Sequence, residues 1–255
     1  MLNIEVAVTD VDGVRVARAA GAVRVELCVA LEVGGLTPSL GLVDRAVEAG
    51  GPVGVHVLLR PRPGDFVHDA DDLDVVLRDA RHVLEAGAAG LVAGPLRPDG
   101  RFDTEALHRL REVAAGAELT AHRGFDVHPD VEANVEALVG AGVDRILTSG
   151  AAASAHDGVA RIARTVAAAA GRITVMAGGG VRPDRTGELA AATGIADVHL
   201  SARTLAQPDT GFGARHRTDP VLVARAVRAA PGRDETPTTV PAHPSVPCPG
   251  EVGGQ

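Results

Sequence analysis

Residues 23–60 read VRVELCVALEVGGLTPSLGLVDRAVEAGGPVGVHVLLR. Two short aliphatic runs, 23–28 and 53–60, flank an amphipathic stretch at 39–49 that opens on Pro38-Ser39, a helix-start signal. Strand, crossover helix and strand in that order form a parallel βαβ unit. Within the runs, polar and aliphatic residues alternate. Arg24, Glu26 and Cys28 interleave with Val23, Val25 and Leu27, while His56 and Arg60 interleave with Val55, Val57 and Leu59. Successive strand side chains point to opposite faces. The aliphatic set therefore faces the helices, and the ionisable set faces the other way.

The same texture extends in both directions. Further strands are predicted over 2–8, 89–93, 117–122, 144–148, 173–177 and 196–200. Helices are predicted over 12–20, 70–86, 103–114, 130–140, 155–169, 183–192 and 219–229. Eight such units within residues 1–230 predict a single-domain α/β fold, the closed (β/α)8 TIM barrel. An open doubly wound sheet would be favoured by a GxGxxG turn after the first strand, but that turn reads TDVDG. Residues 231–255 carry six prolines and no periodicity, which predicts a disordered tail.

In a barrel the inward set fills the interior. By parity it includes Glu5, Arg24, Glu26, Cys28, His56, Arg60, Thr120, His122, Thr174, Met176, His199 and Ser201. An unpaired buried charge costs several kcal/mol, so these groups must pair with one another or reach water or ligand. Arg24, at the start of its strand, reads as structural. Groups near strand C-termini sit where barrel enzymes keep their chemistry.

Composition narrows the options. The formal net charge of −8 and the absence of Trp and Tyr argue against nucleic-acid binding. All 25 basic residues are Arg, so Schiff-base chemistry on lysine is excluded. Cys28 and Cys248 cannot build a disulfide framework or a four-cysteine zinc site, and Cys248 falls in the tail. No apolar run approaches a membrane span, and the N-terminus lacks a basic-then-apolar leader pattern, so a cytoplasmic protein is expected.

The loops after the strands carry the candidate chemistry. Glu26 and His122 suit a general acid–base pair, with Glu5 inward beside them. Arg60, Arg123 and Asp126 follow on neighbouring loops, and an Arg there could hold a carboxylate or an enolate oxygen. Asp65 and Asp126 are candidates for the same machinery, or else for bonding loop N–H groups. Gly178, Gly179 and Gly180, with Ser201 and Arg203, suit an anion site at the ends of strands 7 and 8. Together they suggest proton abstraction, isomerisation or elimination on a small anionic, sugar-like or phosphorylated metabolite. No HxH or HExxH motif occurs, so no required metal or cofactor is evident.

Several motifs are collinear over about residues 3–215: RVELC…GGLTPSLG (24–41), RPRPGDF (60–66), HRGFD (122–126), ILTSG (146–150), AGGG (177–180) and HLSA (199–202). In this set the chain resembles the CutC family. The resemblance implies a (β/α)8 barrel, a cytosolic location, assembly into a homodimer or larger, and a role in copper homeostasis through copper binding. The chain departs from the family at Ala7 and Val8, where members often carry cysteines, at Pro63 in place of Gly, and at Gly124 in place of Ala. Cu(I) prefers thiolate and thioether ligands. Cys28 is thus the one metal-ligand candidate of the proposed soft set that survives, with Met176 and His56, His122 or His199 within reach by parity. That set could hold Cu(I) only weakly.

Overall fold

The computed structural model describes residues 2–211 and 213–230. The predicted tail and Cys248 lie outside them. Eight parallel strands close on themselves in sequence order. They are β1 (Asn3–Val8), β2 (Arg24–Leu27), β3 (Gly54–Leu58), β4 (Gly90–Ala93), β5 (Glu118–Ala121), β6 (Arg145–Thr148), β7 (Thr174–Gly178) and β8 (Asp197–Leu200). Between and after them run α1 (Val11–Ala19), α2 (Leu40–Gly50), α3 (Ala70–Glu85), α4 (Thr104–Ala114), α5 (Val131–Gly140), α6 (Val159–Ala169), α7 (Thr186–Thr193) and α8 (Pro220–Arg228). This is the expected (β/α)8 barrel.

Local chemistry sets the helix starts. Asp10, Ser39, Asp69, Asp103, Asp130 and Asp219 each accept a backbone N–H of the first turn that would otherwise lack a partner. Two starts fall later than the sequence suggests. α6 begins at Val159 rather than residue 155, because residues 151–157 form turns in which Ser154 bonds Asp157 and Gly158. α7 begins at Thr186, since Pro183–Arg185 is a short 3-10 turn. A hairpin also stands where a plain connector was expected: β9 (Arg203–Gln207) pairs antiparallel with β10 (Arg215–Thr218). Its residues are mostly exposed, so they lack the aliphatic alternation that marks a buried strand. Among the described residues, no helix is long and apolar enough to cross a membrane.

The barrel separates the two faces of each strand. Ile4, Val6, Val25, Leu27, Val55, Val57, Leu91, Leu119, Ile146, Val175 and Val198 join the large cluster that packs against the helices. Inside, apolar residues are few: a small cluster of Cys28, Leu58 and Val92, with Leu147 and Met176 beside each other on β6 and β7. The rest of the interior is largely ionisable. Arg24 bonds Glu5 on β1 and Glu118 on β5, and reaches Thr120 Oγ1 at 3.2 Å. Arg145 bonds the same Glu118 at 2.8 Å and Asp197 on β8. One chain of charge-assisted bonds, Glu5–Arg24–Glu118–Arg145–Asp197, thus crosses the lower barrel and ties β1, β2, β5, β6 and β8 together. The Glu5 carboxyl feels burial, which raises its pKa, but Arg24 and His199 outweigh that and hold it well below the usual carboxylate range.

Removing the hub of this chain takes the cation from the fully buried Glu5, leaving it only His199, and leaves Glu118 only Arg145. Arg24→Met should therefore destabilise the fold by about 3–5 kcal/mol, measured as a drop in the urea midpoint at unchanged slope. A loss under about 1 kcal/mol would show that the chain carries little of the fold's stability.

Candidate functional site

Register brings three ionisable groups together above the ion-pair chain. Glu5 lies beside His199 across β1 and β8, and Ala7 lies beside Glu26 across β1 and β2. His199 donates from Nδ1 to Glu5 Oε1 at 2.6 Å. One atom from each of Glu5, Glu26 and His199 lies within 4.8 Å of the others. Glu5 fixes the imidazole, leaving Nε2 as the free ring nitrogen, much as a buried carboxylate orients the histidine of a catalytic dyad. Burial opposes charge on His199, but Glu26 and the hydrogen bond to Glu5 outweigh it and raise its pKa. Burial also raises the Glu26 carboxyl; the charge on His199 opposes this, and Glu5 adds to it. Glu26 Oε2 is buried without a hydrogen-bond partner.

Toward the strand C-termini the inward positions become small: Ala7, Gly94, Gly178 and Ser201. A Cβ on Gly178 would lie 2.6 Å from the Leu147 side chain and 3.0 Å from His199. A cavity of about 280 Å³ is lined by Gly179, Gly180, His199, Ser201 and Arg203, with Leu222 of α8. Of the ionisable trio, His199 alone lines it. The Arg203 side chain is exposed and forms no ion pair among the described residues. Three alanines with positive φ stand at the same end, Ala30, Ala151 and Ala202 with φ of 53°, 55° and 32° in the loops after β2, β6 and β8, while Ala115 and Ala170 close α4 and α6. Such positions cost about 1–3 kcal/mol each and recur at functional loops.

Other predicted site residues are placed apart from this trio. The sequence reading paired Glu26 with His122, but Glu26 has His199 beside it instead. The His122 Nδ1 accepts the Gly124 N–H at 3.0 Å, so the ring proton resides on Nε2, which is buried without a partner. Burial, helped by His68 and Arg60, pulls its pKa down to about 3, so the ring is a neutral donor rather than a base. Arg60 donates through Nη1 to Val33 O (2.8 Å) and Gly35 O (3.0 Å), and through Nη2 to Gly64 O (2.6 Å), clamping two mouth loops. Asp126 accepts from Thr148, Ser149, Ala151 and Arg123 and braces the β5 loop to the β6 loop. Arg123 also donates to Ser149 Oγ at 2.8 Å. Asp65 is exposed, where it pairs with Arg62 and accepts the Val67 N–H.

His199 is the residue whose role the sequence reading missed. Its parity matches that of Glu26, but residue type alone offers it only as a metal ligand. The donors do not fit Cu(I). Among the described residues, the trio with metal-like spacing offers carboxylate oxygens and one nitrogen, which suit harder ions, and Arg24 beside Glu5 repels a cation. Cys28 is fully buried against Leu58 and Val92, its thiol 4.0 Å from Val8 O. Burial, and then the Glu26 charge, push that thiol up, away from the thiolate a copper site needs.

The sequence profile of the CutC family matches residues 2–204. A family protein CutC from Sinorhizobium medicae (strain WSM419) is 46% identical over 235 residues, covering 89% of this chain and 94% of that protein. A family protein CutC from Vibrio cholerae (strain O395) is 40% identical over 204 residues, 79% of this chain and 80% of that one. A solved structure from Streptococcus agalactiae, carrying the name copper homeostasis protein CutC, superposes with a TM-score of 0.74 at 32% identity. That match covers 78% of this chain and 98% of the other.

The buried neutral histidines make a pH prediction. His122 and His56 hold folded pKa values of about 3 and about 4 against 6.5 for the free side chain. Between those values the unfolded chain binds more protons, so stability falls as pH drops below 6.5 and keeps falling toward about 3. His122→Phe should remove close to one proton from that dependence, read as a shallower slope of denaturation free energy against pH. An unchanged slope would mean that His122 titrates normally in the fold.

Proposed function

The chain belongs to the CutC family, and from that premise we propose that its barrel mouth carries out acid–base chemistry on a small anionic, sugar-like or phosphorylated metabolite. The observation that supports this most is the Glu26 carboxyl: buried, raised in pKa and with one oxygen unpartnered, beside a histidine oriented by a second carboxylate. A carboxyl raised toward neutrality can both give and take a proton at working pH. In this reading Glu26 and His199 Nε2 are the proton-transfer groups, and Glu5 holds His199 in place. Arg203, Ser201 and the backbone of Gly179-Gly180 receive the anionic group in the adjoining cavity. Proton removal next to a carbonyl, and its return at a neighbouring atom, gives isomerisation; loss of a leaving group instead gives elimination. Neither needs the lysine that the chain lacks.

The name of the Streptococcus agalactiae neighbour favours copper homeostasis as a second reading. Cys28 limits it, because it is a lone thiol fully buried against Leu58 and Val92, and burial favours its protonated form. The proposal includes a cytoplasmic homo-oligomer, as the family resemblance implies.

Two experiments decide between these readings. A thermal-shift screen with sugar phosphates and small hydroxy acids should find a stabilising compound whose effect Arg203→Ala abolishes. Turnover of that compound should fall by at least about 10²-fold in Glu26→Gln with the fold intact. Full activity in Glu26→Gln would remove the carboxyl from the mechanism. Cu(I) titrated against a strong chelator should stay with the chelator in the wild type and in Cys28→Ser alike. Tight Cu(I) capture abolished by Cys28→Ser would restore the copper reading.

A further inference from the structure

The β3–β5 side of the mouth holds a second group of unsatisfied atoms that the acid–base pair does not use. Arg60 Nε, His122 Nε2 and His68 Nδ1 are all buried without a hydrogen-bond partner. Phe66 gathers the first two: the Arg60 guanidinium carbon lies 5.1 Å from its ring centre, and the His122 ring lies 4.4 Å from it, tilted by 41°. His68 is close enough to act on His122 electrostatically. Arg60 and His122 are 4% and 5% exposed, so water does not easily take the place of the missing partners. The Arg60 partners are carbonyl groups from two loops, and it forms no ion pair among the described residues. The carboxylate of its own loop, Asp65, is held by Arg62. A buried guanidinium without an anion, next to an imidazole that can only donate, is an incomplete arrangement.

We infer that Arg60 Nε–H and His122 Nε2–H form the docking point for a carboxylate of the ligand. Both Nη1 hydrogens and one on Nη2 are already committed to carbonyls, and Nε is the one nitrogen of the guanidinium without any partner, so Arg60 presents its Nε–H. Two separate donors suit the two oxygens of a planar carboxylate; a phosphate, with more oxygens and more charge, would leave acceptors unmet. Gly94 and Gly124 are part of the device, since a Cβ there would lie 2.7 Å and 3.1 Å from the His122 ring. The inference deepens the acid–base reading by naming a substrate class: a small acid that docks its carboxylate here and presents its reacting atoms to Glu26 and His199.

The test uses the full-length protein with 15N-labelled imidazoles, titrated with pyruvate and separately with inorganic phosphate. Pyruvate should move the His122 Nε2 resonance saturably. Arg60→Lys, which keeps a cation but loses the Nε–H, should weaken pyruvate binding by about tenfold or more, as expected for one charge-assisted hydrogen bond. His122→Phe, which keeps the stack on Phe66, should weaken it comparably by calorimetry. Phosphate acting as strongly as pyruvate, or unchanged affinity in both variants, would overturn the inference. Glu26→Gln separates it from the reading it rests on. Loss of turnover in that variant, without any pyruvate response at His122 in the wild type, rejects the carboxylate subsite alone. A pyruvate response together with full turnover in Glu26→Gln rejects the acid–base reading alone.

Discussion

Arg24 reaches from β2 to a carboxylate on each side of it, Glu5 on β1 and Glu118 on β5, and most of what is particular about this barrel depends on that. A closed sheet has one interior, and every second side chain of eight strands must enter it. Here that set is rich in charge. The cost of burying it is met because the charges alternate in sign along one connected chain from Glu5 to Asp197. The chain uses up the arginines and the carboxylates of the lower layers. It leaves unmatched the groups that lie nearer the strand C-termini.

Those remaining groups differ in kind on the two sides of the mouth. Around β8, β1 and β2 the residual chemistry is proton exchange: Glu26 with a raised pKa, and His199 turned by Glu5 so that Nε2 is free. Around β3 and β5 it is donation alone, since His122 is neutral and Arg60 has given three of its five N–H groups to carbonyls, with Nε left without a partner. Glycines separate and shape the two regions, and the strained Ala30 and Ala202 hold the loops above them. Soft ligands have little part in either region. Cys28 belongs to a small buried apolar group with Leu58 and Val92.

The fold was legible because period-2 alternation survives burial on both faces of a barrel strand. Aliphatic residues at Val25, Leu27, Val55 and Val57 marked the helix side, and Arg24, Glu26 and His56 marked the interior. The β9–β10 hairpin was not legible, since an exposed ribbon such as RTLAQ needs no such alternation. Parity also gathered the inward residues correctly but could not pair them. That His199 rather than His122 stands beside Glu26 depends on closure of the barrel, which sets β8 and β2 on either side of β1. The state of His122 depends on one backbone N–H, that of Gly124, and the commitments of Arg60 depend on three loop carbonyls. None of these carries a residue-type signal, because backbone groups are the same in every sequence.

The account stands on Glu26 being a buried carboxyl that burial raises in pKa, beside a His199 that Glu5 orients. Its most direct measurement is the titration of the Glu26 carboxyl by 13C NMR with Glu-labelled protein, assigned through Glu26→Gln. Glu26 should titrate clearly above the ordinary value of 4.5 while Glu5 titrates well below it. Ionisation of both carboxyls together near 4.5 would place them in water and contradict the account.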